Sequence, residues 1–303
     1  MLNGKFYALK IIPKNNLHTR GRLNILINEP HILKRFNNTN KFVPDIISSF
    51  QDYDNFYIVT TFYDGPPLSK IINTNFSEEQ IKFVGACIIL SLKYIREKEV
   101  IHRDLSADNI IMDKDNYFNL IDFSSSVDYS KRYSKDLECN IEKRTNLPWI
   151  LIDNNYDYNY DYYVLGAVLF LMVFKNYPFL MQQRSGLKKL LSYNNLISKY
   201  SKNFNNFLEC LLVTNVTQRI GYNNIDELVN HPWFHEFNWE KLKKKEVISP
   251  FSYNRTGKNK NICQRFLKLQ QMVDSYKIWN KEKNYQKLLQ NFDFSKNILK
   301  ARK

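Results

Sequence analysis

Apolar and polar positions alternate along residues 5–12, Lys-Phe-Tyr-Ala-Leu-Lys-Ile-Ile, in the manner of a half-buried strand. Two further strand patterns, Ile46 to Phe50 and Phe56 to Thr60, flank the polar turn Asp52-Tyr53-Asp54-Asn55 and predict a hairpin. Between them, Arg20 to Phe36 reads as a helix, and Pro30 should disturb its geometry directly after Glu29. The period changes again at Ser77. Ser77-Glu78-Glu79-Gln80 forms a capping box, and Ile81, Val84, Ile88 and Leu92 fall at helical spacing, so a helix is predicted to about Lys98. Tyr117 to Ile121 is a β-rich run that ends on the carboxylate of Asp122. Asp161 opens the most apolar stretch, Tyr162 to Phe174, which is shorter than the roughly 20 residues a bilayer span needs and reads as a buried helix. Residues 254–303 are strongly basic and fit one or two amphipathic helices.

Composition narrows the class. A chain of 303 residues with 44% hydrophobic content supports a packed core, and its length suits two lobes around a cleft. The cysteines, Cys87, Cys139, Cys210 and Cys263, have neither close pairing nor metal-ligand spacing, which points to reduced thiols in a cytosolic, cytoplasmic protein. No charged-then-apolar signal segment opens the chain. A formal charge of +14 would by itself suggest nucleic acid or an anionic membrane. The lysines are spread along the chain, however, and heaviest in the tail, while Asn, Lys, Ile and Tyr are abundant together as in a codon-biased genome. The charge is therefore read as solvated surface, with no nucleic-acid partner and no membrane span.

The chemistry concentrates in His102-Arg103-Asp104-Leu105-Ser106-Ala107-Asp108-Asn109. Phosphoryl transfer needs a base beside the attacking oxygen and a metal ligand a short loop away, and Asp104 and Asn109 stand at that interval. Asp122-Phe123 follows, and upstream lie Lys10 in its strand and Glu29 in the next helix. Lys10, Glu29, Asp104 and Asp122 are separated in turn by 19, 75 and 18 residues. These motifs, in this order, resemble the catalytic elements of the eukaryotic protein kinase domain. The intervals are similar to those of the AGC group, which includes the cyclic-nucleotide-dependent serine/threonine kinases.

The resemblance covers about Lys5 to Phe251 and implies an α+β, two-lobed kinase-like fold with a truncated β-rich small lobe and a mainly helical large lobe. It divides the chain into residues 1–64, small lobe and hinge; 65–239, large lobe; and 240–303, a basic AGC-like tail. It implies ATP and Mg²⁺ as cofactors and Ser or Thr of protein substrates as acceptors. Lys10 would contact the phosphates and pair with Glu29, Asp104 would be the catalytic base, and Asn109 and Asp122 would hold the metal. Thr60 falls at the gatekeeper position, and Thr61-Phe62-Tyr63-Asp64-Gly65 resembles the hinge. Ala8, Phe62, Leu68 and Ile111 would frame the adenine. Leu33, Ile46, His102 and Phe123 would stack as a column between the lobes, and Asp161 would anchor the catalytic loop from below. A monomer is expected, with room for a regulatory domain or subunit upstream.

Several positions depart from the family pattern. The chain begins nine residues before Lys10, where the glycine-rich lid would stand, so either upstream sequence is missing from it or a small lobe without that lid is expected. Ser106 replaces a lysine that contacts the γ-phosphate, and loss of such a group costs about 10²–10³ in rate. Ser124 replaces the glycine after Asp-Phe and should restrict the backbone there. Leu147-Pro148-Trp149 ends the activation segment where a glutamate is usual, so Arg219 is expected to stack on Trp149. Arg103 is expected to pair with Glu138 or Asp136 in place of a phosphate, with Ser134 and Thr145 as the alternative phosphosites. Phe292-Asp293-Phe294 bears a weak resemblance to an aromatic docking motif, and a solvated helix is expected there. These departures keep a second class open, a pseudokinase that serves as a binding scaffold.

Overall fold

The computed structural model describes residues 6–14, 28–36, 40–131, 157–178, 199–253 and 294–295. In chain order the elements are β1 (Tyr7–Pro13), α1 (28–34), β2 (Ile46–Gln51), β3 (Asn55–Thr61), α2 (Leu68–Ile71) and α3 (Glu78–Glu97). After these come β4 (Val100–Ile101), β5 (Ile110–Met112), β6 (Phe118–Leu120), β7 (Val127–Asp128) and α4 (Tyr158–Phe174). The chain closes with α5 (Lys202–Leu212), α6 (Asp226–Val229), α7 (Trp239–Lys244) and β8 (Phe294–Ser295).

One antiparallel sheet runs in the order β1-β3-β2-β8. Its register sets Ala8 opposite Thr60 and Lys10 opposite Ile58, and because side chains alternate with period two these four share one face. The hairpin turn is held by Asp52, whose Oδ1 accepts from the amides of Asp54 and Asn55 while its Oδ2 accepts from the Tyr57 hydroxyl at 2.6 Å.

The helical part is organised by α3 and α4. The capping box forms as expected: the Gln80 amide donates to Ser77 Oγ at 3.2 Å and the Ser77 amide to Gln80 Oε1 at 3.0 Å. Glu78 and Glu79 in that first turn complement the helix dipole. Helix α4 begins at Tyr158, earlier than the apolar run suggests, because Asp157 accepts from the Asn159 amide as its cap. It is buried along nearly its whole length, and Gly166 allows the close crossing with α5, where a Cβ would stand 2.8 Å from Leu211 Cβ. One hydrophobic cluster runs from Leu33 and Phe36 beside the sheet, through α3 and α4, to Leu212 and Trp233.

Residues 240–251, expected as the start of the tail, pack against the helical body. Phe251 is buried against Phe118 at 4.9 Å between ring centroids, and Lys245 pairs with Asp113 while lying 5.1 Å from the Phe42 ring. Near the end of the chain, Phe294–Ser295 is a strand on the outer edge of β2 and not a helix. A sheet edge presents unpaired backbone groups that a short extended segment satisfies.

Candidate active site

The shared face of β1 and β3 delivers Lys10. Its Nζ donates to Glu29 Oε2 and to Asp122 Oδ1, each at 2.8 Å, so one cation joins the sheet, α1 and the segment after β6. Pro30 does not prevent this: residues 28–34 remain helical through it, and Glu29 meets Lys10. Further ties hold α1 in place. Asn28 donates to the Ser126 carbonyl, and Arg35 pairs with Asp128 at 2.6 Å. Burial disfavours the Lys10 charge, yet the two carboxylates keep its pKa above the ordinary lysine value. Burial likewise opposes the Asp122 charge, but Lys10 and the Ser124 amide hold that carboxyl down at about 2. Burial raises Glu29 above the usual range, against the pull of Lys10.

The opposite wall hangs from Asp161 in the first turn of α4. Its Oδ2 accepts from the His102 amide at 2.8 Å and its Oδ1 from the Arg103 amide at 3.0 Å, which fixes the loop between β4 and β5. Arg103 takes a left-handed backbone, φ 63°, and its Nε donates to the Ser125 carbonyl at 2.7 Å. The Asp104 amide donates to His102 Nδ1 at 3.2 Å, so the other ring nitrogen carries the proton and donates to the Ile121 carbonyl at 3.1 Å. Asn109 Nδ2 donates to the Asp104 carbonyl at 2.8 Å, and the Ile121 amide donates to the Asn109 carbonyl at 2.9 Å. Asp104 and Asn109 are thereby fixed on a loop registered to the residue preceding Asp122. Leu33, Ile46, His102 and Phe123 are all buried, with the rings of His102 and Phe123 edge to face at 4.8 Å.

Between the walls lies a cavity of about 310 Å³. Ala8, Lys10, Ile58, Thr60, Phe62 and Ile111 line it, with Glu29 and Asp122 at its charged end. The hinge lies close on β5 because residue 65 is glycine: its amide donates to the Met112 carbonyl at 3.1 Å, and a Cβ there would come within 2.6 Å of that oxygen. Pro67 bridges Ile111, which presents Ile111 to the cavity. Leu68, expected beside Ile111, does not line it. As the first residue of α2, following an extended Pro67, it is fully buried in the core cluster. Pro44, Ile58 and Ile121 line the cavity without having been singled out. Ile58 was recoverable, since it follows from the period-two register once Lys10 and Thr60 are placed.

The donor set suits a hard cation. Among the described residues no cluster of three or more His, Cys, Asp or Glu side chains could hold a metal by itself. Asp122 and Asn109 offer a carboxylate and an amide oxygen, the sparse protein contribution expected where substrate phosphates complete the coordination. The Arg219 guanidinium lies 5.0 Å over the Tyr163 ring and donates to the carbonyls of Asn159 at 2.9 Å and Val213 at 2.8 Å. Its pKa falls to about 10, chiefly through burial. Trp149, Glu138, Asp136, Ser134 and Thr145 lie outside the described residues.

Residues 1–234 match the family described as Protein kinase domain. A probable serine/threonine-protein kinase of Dictyostelium discoideum is 27% identical over 257 residues, covering 84% of this chain and 56% of that protein. Serine/threonine-protein kinase Sgk1 of Danio rerio is 28% identical over 266 residues, 84% of this chain and 60% of its own length. cGMP-dependent protein kinase 2 of Rattus norvegicus is 25% identical over 264 residues, 83% and 34%. The chain thus spans between about a third and three-fifths of the length of these relatives.

Proposed function

The chain belongs to the protein kinase domain family, and from that premise we propose that it transfers the γ-phosphoryl group of ATP to Ser or Thr hydroxyls of protein substrates. The observation that carries this reading is the Lys10 bridge to both Glu29 and Asp122, at the charged end of a cavity whose remaining lining is mostly apolar. The adenine lies between Ala8 and Ile111, bounded by Thr60 and Phe62, with its polar edge on the hinge backbone. Lys10 contacts the phosphates. Asn109 and Asp122 hold Mg²⁺, which supplies charge neutralisation on the phosphate oxygens when bound. Asp104 accepts the proton of the substrate hydroxyl as its oxygen bonds to the γ-phosphorus, and the bond from that phosphorus to the bridging oxygen breaks to release ADP.

Ser106 leaves the γ-phosphate without the lysine that the group carries, so turnover is impaired rather than absent. The serine/threonine preference and the AGC character are supported by the likeness to serine/threonine-protein kinase Sgk1 and cGMP-dependent protein kinase 2. A cytoplasmic, monomeric protein divided near residues 64 and 239 fits the reduced cysteines and the hinge at Thr61 to Gly65. No helix among the described residues is long and apolar enough to cross a membrane.

The test is transfer of labelled phosphate from Mg·ATP to a Ser/Thr peptide panel by the wild-type chain and by Asp104→Asn. General-base catalysis contributes about 10²–10⁴, so the variant should lose that factor while binding nucleotide as before. Equal transfer by the two proteins refutes the role of Asp104, and no transfer by the wild type refutes the enzyme reading.

A further inference from the structure

Helix α1 carries Glu29 to Lys10, and side chains at its two ends fasten it to the stretch that follows Phe123. Asn28, beside Glu29, donates to the Ser126 carbonyl. Arg35, in the turn that ends α1, donates from Nη1 to Asp128 Oδ2 at 2.6 Å. This second tie is held ready by its own surroundings. Asp128 Oδ1 accepts from the Ser130 amide at 3.0 Å and from the Ser130 hydroxyl at 2.6 Å, which turns the other carboxylate oxygen toward the helix. Phe36, next to Arg35, sets its ring edge to face with Phe123 at 5.0 Å between centroids. Asp128 belongs to β7 and lies opposite Val100 of β4, the strand that runs into His102-Arg103-Asp104. Arg35 therefore connects the helix that presents Glu29 with the strand pair that leads into the Asp104 loop. Glu99 also approaches the guanidinium, but at 3.8 Å and with its side chain 69% exposed.

We propose that the Arg35–Asp128 ion pair is a latch that holds α1 where Glu29 meets Lys10, and that both are positioning residues for phosphoryl transfer although neither lines the cavity. The catalytic consequence rests on the kinase reading, because that reading assigns Lys10 to the phosphates. The side chains of Arg35 and Asp128 are 32% and 24% exposed, so the pair adds little to the stability of the whole fold. It acts on the placement of one helix, where a small shift is enough to part Glu29 from Lys10. With the latch open, Lys10 keeps only Asp122 of its two carboxylate partners, and the phosphates meet a less fixed cation. Loss of such alignment lowers the rate even when the altered residue is far from the reacting atoms.

The experiment is a double-mutant cycle on the full chain with Arg35→Gln, Asp128→Asn and the two combined, and with Glu99→Gln as control. Peptide phosphorylation with Mg·ATP gives kcat and the KM for ATP and for peptide, while hydrogen exchange read by mass spectrometry follows residues 28–36. Each single variant should lose about 3–5-fold in kcat/KM for ATP, the span that a partly exposed ion pair commands. Exchange over residues 28–36 should rise by a similar factor. The combined variant should lose no more than either single one, since the second substitution finds no interaction left to remove. The KM for peptide should stay at the wild-type value, and Glu99→Gln should match the wild type throughout. Losses that multiply in the combined variant overturn the proposal, as does unchanged exchange over residues 28–36 in Asp128→Asn. An exchange rise spread over the whole chain, or a loss in Glu99→Gln equal to that in Asp128→Asn, overturns it too. A wild type that transfers no phosphate overturns the kinase reading, and the exchange cycle, which needs no catalysis, then decides the latch by itself.

Discussion

Asp161 and Lys10 each join two parts of the cleft through a pair of hydrogen bonds, but one is sealed and the other is wet. The Asp161 residue is 2% exposed and ties two backbone amides of one loop. The Lys10 side chain is 37% exposed and its partner Asp122 35%, and together with Glu29 they join three separate segments. Buried polar groups without partners lose about 1–3 kcal/mol each, whereas exposed ion pairs contribute at most about 1 kcal/mol. The large-lobe wall is therefore part of the folded core. The small-lobe wall is a charged contact that solvent weakens and that an anionic ligand with its metal can rearrange.

The comparison breaks first at Asp161. Replacing it by Ala leaves the His102 and Arg103 amides buried and unpaired, so about 2–6 kcal/mol of stability should be lost in urea unfolding. Asp161→Asn, which retains one acceptor oxygen, should lose about half as much. An Asp161→Ala loss below about 1 kcal/mol would place the loop under some other restraint.

Ser106 sharpens the contrast from the catalytic side. The loop that carries it is anchored, so Ser106→Lys should raise phosphotransfer by up to about 10²-fold with little change in unfolding midpoint. No gain in a well-folded variant would mean that another defect limits the rate. Lys10→Met leaves the Glu29 carboxylate, whose side chain is 7% exposed, without its cation, and should lose about 1–3 kcal/mol in the same unfolding assay, less than Asp161→Ala. A larger loss would make the small-lobe contact as structural as the Asp161 anchor.

How much of this was legible in the sequence follows the same division. Lys10, Glu29, Asp104, Asn109 and Asp122 were singled out by their resemblance to the kinase motifs, and the structure brings Lys10, Glu29 and Asp122 into direct contact, while their catalytic roles are the proposal made above. Asp161 was readable from its interval, although the cap at Asp157 was not, since an aspartate before tyrosines carries no apolar period. Leu68 was misplaced because one apolar residue after a proline does not reveal which side of a four-residue helix it joins. The β2–β8 pairing escaped because a sheet edge meets a partner more than two hundred residues away with no local signal. Arg219 found Tyr163, one turn beyond Asn159, through packing of α4 that no spacing rule encodes.

The central claim is that the cavity between these two walls is a nucleotide site assembled on Lys10. Its most direct test is isothermal calorimetry of the wild-type chain and of Lys10→Met with ATP in the presence of Mg²⁺. The account predicts saturable binding by the wild type, weak in keeping with an exposed charged end, and a marked loss of affinity in Lys10→Met. No heat from the wild type at millimolar ATP, or equal affinity in the two proteins, would contradict it.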